Sequence, residues 1–274
     1  MSATTVTSIG LTPDYDASPL HRLSVAVNDT LAVCKRNLIA YRRVPQLLVF
    51  STIQPIVFVL LFRYVFGGAI STPGVSYVDY LMPGVFAQTV AFGAMNTSIG
   101  LAADMNLGLI ERFRSLPMAR SAVLAGRTLA DLVRNVFVVA LMFAVGFLVG
   151  FRVSTGVLPF LGAVLLVLLF GFALSWVFAT VGLLVADPET AQAAAFPVMA
   201  PLVFASSAFV PVSSMPDWLQ PFATYQPLSV VVDAVRDLCL GGPTAADVAG
   251  AILWCLGILA VAAPIAVHRY RLAA

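Results

Sequence analysis

Charged residues are spaced along this chain like the ends of membrane spans. Nineteen uncharged residues separate Arg43 from Arg63, 24 separate Asp79 from Asp104, and 17 separate Arg134 from Arg152. Further on, the gaps are 34 between Arg152 and Asp187, 27 between Glu189 and Asp217, and 20 between Asp247 and His268. A helix needs about 20 apolar residues to cross bilayer hydrocarbon, within a range of about 17 to 25. The 34-residue gap is too short for two spans and a turn, and Ser154, Thr155, Gly156 and Pro159 read as a loop and a helix start. Six spans are expected, at about 44–66, 79–103, 128–151, 158–185, 190–212 and 248–267.

Composition agrees. Hydrophobic residues make up 60% of the chain and charged residues 10%, with a mean hydropathy of +0.97; soluble domains carry about 25% charged residues. So much apolar surface cannot be hidden in a water-soluble domain of this size, and a disordered chain would be poor in it. The expected fold class is an all-α polytopic membrane protein, one domain over 19–274 behind a polar, mobile cytoplasmic tail at 1–18. Residues 1–20 lack the basic start and apolar core of a cleavable signal peptide. No internal repeat stands out, which weighs against an inverted-repeat secondary transporter.

The net charge of +2 gives no footprint for nucleic acid. Fourteen of the 15 basic residues are Arg, a skew that reads as a GC-rich (actinobacterial-type) genome. The single lysine, Lys35, sits in Val33-Cys34-Lys35-Arg36, so the chain has no phosphate-binding P-loop. Cys34, Cys239 and Cys255, with His21 and His268 at opposite ends, form neither a disulfide framework nor a metal set. Nothing resembles a nucleophile with its base, and a catalytic role is not expected.

Lys and Arg placement sets the orientation. Twelve of them fall before span one, between spans two and three, and in the C-terminal tail; the alternate loops hold only Arg63, Arg152 and Arg236. Both termini are expected in the cytoplasm of a bacterial plasma-membrane protein. Ser18-Pro19 starts a helix whose Leu20, Leu23, Val27, Leu31, Cys34, Leu38 and Tyr41 form one apolar stripe. That helix is expected to lie in the inner interface. Trp218–Val232 is apolar but too short to cross, and reads as an outer interfacial or re-entrant segment before span six.

Between spans two and three, Leu109, Phe113 and Leu116 fall on one helical face, with Glu111, Arg112 and Arg114 around it and Pro117 ending the turn. Such a helix can plug into a partner's cleft; a solvated loop that only fixes topology gives the same pattern. The stretch Glu-Arg-Phe-Arg-Ser-Leu-Pro-Met-Ala-Arg-Ser-Ala-Val-Leu-Ala-Gly-Arg-Thr-Leu-Ala-Asp-Leu (111–132) resembles the signature of ABC type-2 permeases, in particular the daunorubicin/doxorubicin resistance branch. Tyr77 to Gly84, Pro216 to Phe222, and Gln226-Pro227 resemble that branch too. The likeness covers roughly residues 25–270. It implies a permease paired with a second permease chain (homodimer or heterodimer) and with a separate ABC ATPase subunit that carries ATP and Mg. It implies no cofactor on this chain, and it makes the loop helix a coupling helix. It also implies export of a hydrophobic or amphipathic cargo, drug or lipid.

Polar residues inside the spans add candidates. Gln54 beside Pro55 needs a partner in hydrocarbon and is a candidate for the permease dimer interface. Gln88, Phe92, Met95 and Asn96 in span two, with Phe204 and Phe209 in span five, are candidates for the cargo path; ordinary helix packing is the competing reading. Asp131 and Arg134 are spaced to pair at the inner edge of span three. No charge is expected near the centre of a span, which disfavours a proton-coupled pump. An ATP-independent transporter or channel, and a membrane scaffold for envelope biosynthesis, remain alternatives.

Overall fold

Inside hydrocarbon every backbone N–H and C=O needs a partner within the protein, and helices supply it locally. The computed structural model describes residues 19–43, 45–68, 70, 72, 74–109, 112, 120–185, 187–242 and 244–272; among these there is no strand. The helices are α1 (Pro19–Arg43), α2 (Pro45–Leu61, prolonged by a π-helical turn, Phe62–Phe66), α3 (Tyr77–Asn106), α4 (Arg120–Val149), α5 (Val157–Gly182) and α6 (Pro188–Phe204). A 3-10 turn (Val212–Ser214) leads to α7 (Gln220–Tyr225), α8 (Pro227–Leu240) and α9 (Thr244–Leu272). Three of these, at Ser121–Val149, Val157–Gly182 and Ala245–Leu272, are long and apolar enough to cross a membrane. The segment Thr52–Phe66 is apolar but shorter.

α3 is the central helix, buried on every side from Tyr80 to Ala91, half-buried on one face beyond, and packed on α4, α5, α6 and α8. Ser76 starts it: its Oγ accepts from the Asp79 N–H at 3.2 Å and donates to Asp79 Oδ2 at 2.6 Å. The α3–α5 crossing depends on small residues. A Cβ on Gly171 would stand 2.9 Å from Val90 Cβ, and one on Gly182 would stand 2.6 Å from the Ser98 carbonyl oxygen.

The predicted fifth span is not one continuous helix. α6 stops at Phe204, and Ala205 leaves helical geometry with φ −94° and ψ 47°. Pro197 and Pro201 remove two N–H donors from α6. Ser206, Ser207, Ala208 and Phe209 are nevertheless buried. Side chains satisfy this irregular backbone: Tyr80 donates to Ser207 O at 3.0 Å, Tyr77 to Phe209 O at 3.2 Å, and Arg236 to Ser207 O at 2.9 Å. Gln226 Nε2 donates to Leu202 O at 2.8 Å and Ala205 O at 3.0 Å. Non-helical backbone at membrane depth is tolerated only with such partners.

The predicted stripe on α1 is divided. Cys34 packs inward beside Val33 and Asn37, whereas Val27 and Leu31 are exposed. α4 takes one side of α1 because Gly126 admits the Thr30 carbonyl, which would be 2.7 Å from a Cβ there. The apolar segment from Trp218 is two helices broken at Gln226-Pro227: exposed Trp218 precedes α7, exposed Tyr225 ends it, and α8 buries Leu228, Val231, Val232 and Val235.

Replacing Gly182 with Ala should lower stability by about 1–3 kcal/mol, since backbone and not a flexible side chain occupies the space. Gly257→Ala, with nothing within 4 Å of its Cβ, should be neutral; thermal unfolding in one detergent compares the two.

At the α8–α9 corner, burial and a hydrogen bond to Asp247 raise the Asp237 pKa to about 6, against an ordinary value of about 3.9. The folded state therefore holds this proton longer than the unfolded chain. The contribution to stability is full below about pH 4 and is lost as pH rises through about 6. Asp237→Asn should flatten that part of the stability–pH curve, read by thermal unfolding from pH 4 to pH 7.

Candidate functional site

α3 and α4 run antiparallel in a register that pairs glycine with arginine. Gly100 faces Arg127, whose guanidinium nitrogen lies where a Gly100 Cβ would be, and Gly93 faces Arg134, with Nη2 3.1 Å from the Cβ position. Both pairs step seven residues along their helices, so the missing side chains on α3 leave two slots for the long cations of α4. Arg127, Asp131 and Arg134 share a face of α4 at spacings of four and three.

The polar groups in this seam are connected. Asp104 accepts from Arg36 at 2.8 Å and from Arg127 at 3.4 Å, which ties α1, α3 and α4 together. Asp131 is fully buried; its Oδ1 accepts from Tyr41 and its Oδ2 from Thr97, both at 2.6 Å. Arg127 Nε stands 3.9 Å from Asp131.

The expected Asp131–Arg134 pair does not form: Arg134 Nη2 donates to Gly93 O at 2.6 Å and to Asn135 Oδ1 at 3.2 Å. The slot at Gly93 draws its guanidinium across to α3, while Tyr41 and Thr97 occupy the Asp131 carboxylate. Nor is Arg134 at a helix edge. α4 begins at Arg120, ahead of the predicted span start, so Arg134 falls halfway along its 30 residues.

Beside the seam is a cavity of about 510 Å³ walled by α1, α2, α3, α4 and α6. Four of the predicted cargo-path residues, Gln88, Phe92, Met95 and Asn96, line it, and so does Gln54. Gln88 and Met95 are buried, whereas Gln54 and α6's Gln192 and Phe196 are exposed and form the rim. Arg127, Arg134 and Asn135 line it from α4.

Phe204 and Phe209 are not among the lining residues. Phe204 is 51% exposed, and Phe209 stacks on Phe62 with ring centroids 4.6 Å apart. Of the α4 face, Asp131 and Arg134 stand out in the sequence as a pair, whereas Arg127 and Asn135 do not, although Arg127, Asp131 and Arg134 follow helical spacing. Among the described residues no His, Cys, Asp or Glu group is arranged to hold a metal.

Glu111, Phe113, Arg114 and Leu116 of the expected coupling helix lie outside the described residues. Leu109 is half-buried and Arg112 is exposed, its N–H donating to Gly108 O at 3.2 Å.

A bundle of apolar helices around a cavity with a polar floor is the architecture of a membrane transport subunit. The ABC-2 type transporter family profile matches residues 28–240, and the chain belongs to that family. It is a non-catalytic permease subunit; ATP hydrolysis lies on a separate ATPase. The chain is similar to a daunorubicin resistance ABC transporter permease protein of Streptomyces coeruleorubidus, at 35% identity over 248 residues covering 90% of this chain and 88% of that one. A probable doxorubicin resistance ABC transporter permease protein of Mycobacterium tuberculosis is 29% identical over 273 residues, covering 99% of each chain. A putative transport permease of Cyanophora paradoxa is 28% identical over 222 residues, covering 77% of this chain and 74% of that one.

Asp131→Asn should destabilise the protein by about 3 kcal/mol, because it removes a buried charge facing Arg127. Tyr41→Phe should cost about 1.5–3 kcal/mol, because its hydrogen bond goes to a buried carboxylate, and no more than Asp131→Asn costs. Thermal unfolding of the purified chain ranks the two.

Proposed function

We propose that this permease is the membrane-spanning half of an ATP-driven exporter that moves an amphipathic cargo, drug or lipid, outward across a bacterial plasma membrane. α2, α3, α4, α5, α6 and α9 are its six spans, and both termini face the cytoplasm. α6 with the irregular segment after it serves as one span, and α7 and α8 cap the outer side. The observation that carries the reading is the cavity on the flank of α3. Its walls are Phe92, Met95 and Phe196, and its polar groups include Gln54, Gln88 and Asn96. Apolar walls with a few convergent polar groups suit amphipathic ligands.

A second permease chain, identical or related, completes the pathway, with Gln54 at or near the contact. An ABC ATPase docks on the cytoplasmic loop, with Leu109, Phe113 and Leu116 as the apolar knob and Glu111, Arg112 and Arg114 as its rim. Buried aromatic anchors commonly dominate such interfaces, at about 2 kcal/mol or more when truncated. Phe113→Ala combined with Leu116→Ala should therefore abolish ATPase co-purification or ATP-driven export while the spans still insert. Export at the wild-type rate by a normally expressed double mutant would remove this loop as the coupling element.

A further inference from the structure

One cation in the cavity wall, Arg134, has no carboxylate beside it among the described residues. It shares the seam with Arg127 and with two carboxylates, Asp104 and Asp131. Both carboxylates are engaged, the first by Arg36 and Arg127 and the second by Tyr41, Thr97 and Arg127. Arg134 is 6% exposed, has no carboxylate within 4.0 Å among the described residues, donates to Gly93 O and Asn135 Oδ1, and lies 5.8 Å from the centroid of the Tyr41 ring. Its Nε has no hydrogen-bond partner among the described residues, and neither has the Oε1 of buried Gln88, also a lining residue. A buried guanidinium that meets only neutral acceptors is costly unless an anion joins it. Its planar fork matches carboxylate and phosphate oxygens.

We propose that this cavity binds the oxyanion head, carboxylate or phosphate, of an acidic amphiphile. Arg134 holds the head, and Gln88 Oε1 accepts from a hydroxyl on the ligand. Phe92, Met95 and the exposed Phe196 line the way out for the apolar part. About 510 Å³ takes a head and the first part of a chain, so the rest of the ligand passes the rim formed by Gln54 and Gln192. The assignment rests on reading this cavity as the cargo surface, and it names the head-group class of that cargo. Asn135 Oδ1 orients the guanidinium, at 3.2 Å from Arg134 Nη2.

The full-length chain in a non-ionic detergent is titrated with dodecyl phosphate, dodecylammonium and inorganic phosphate at fixed salt. Dodecyl phosphate should bind at least about tenfold more tightly than dodecylammonium, and inorganic phosphate at equal concentration should not displace it. Arg134→Gln should weaken dodecyl phosphate about tenfold or more. Arg134→Lys should bind between wild type and Arg134→Gln, because an ammonium keeps the charge and loses the planar fork, and Arg152→Gln, exposed beyond the far end of α4, should bind as wild type does. Equal binding of cation and anion by the wild-type chain, a comparison that needs no variant, would overturn the proposal. So would unchanged binding by folded Arg134→Gln, or displacement by inorganic phosphate, which would make a free anion the ligand. ATP-driven export is then measured in proteoliposomes containing the ATPase. Export of an uncharged amphiphile without dodecyl phosphate binding defeats the head-group assignment and leaves the exporter reading standing. Arg134-dependent binding without any export supports the site and defeats the exporter reading.

Discussion

The seam between α3 and α4 is the constraint from which the rest follows. Glycines at 93 and 100 leave α3 without side chains where two arginines of α4 must lie. The arginines then reach backbone oxygen and buried carboxylate, and the two helices cannot slide by a turn without unpairing them. Asp104 and Asp131 extend the connection to α1 through Arg36 and Tyr41. Charged groups at such depth are tolerated because each faces the bundle and is hydrogen-bonded there. The cavity lies directly against this seam, so its floor inherits the seam's rigidity and its positive charge.

A second polar connection holds the opposite end of the bundle. Arg236 lies over the Tyr80 ring at 3.8 Å, pairs with Asp233, and donates to Ser207 O. Ser207 Oγ donates to Asp233 at 2.8 Å, and Ser207 N–H donates to Ser229 at 3.1 Å. These bonds fasten α8 and the irregular chain after α6 to the start of α3. Gly84 allows that chain to lie on α3, since a Cβ there would be 2.1 Å from Ala208 O. α3 is thus pinned by polar groups at its start and along its second half, from Gly93 to Asp104.

Much of the helical layout was legible because hydrocarbon imposes a length rule that charge spacing reveals. The gap between Arg152 and Asp187 became one helix, as Gly156 and Pro159 indicated, and Gln88, Phe92, Met95 and Asn96 came together on one wall. What was not legible depended on tertiary partners. Asp131 and Arg134 are spaced to pair, but Tyr41, Thr97 and Gly93 compete for them from other helices, and no local pattern carries that. Phe209 looked like a span residue facing cargo. The break at Ala205 turns it onto Phe62 instead, and the partners that make the break tolerable, Tyr77, Tyr80 and Arg236, are far away in sequence. The stripe on α1 divided for the same reason: helical periodicity gives a face, and only the approach at Gly126 decides which part of it α4 covers.

The cavity's walls therefore differ in kind. α3 and α4 are crossed by ion pairs and close glycine contacts. α2 and α6 contribute the exposed rim; proline lies within both, Pro55 in one and Pro197 and Pro201 in the other, and within α3 at Pro83, ahead of the seam. A proline removes a donor and leaves a carbonyl without its helical partner, which lowers the local cost of bending. Segments with fewer buried contacts and weakened backbone bonding open at lower free energy than a fully packed core. On the proposed export reading, the wall that opens over the floor at least cost is α2, which packs on α3 and α4 far less closely than α6 packs on α3.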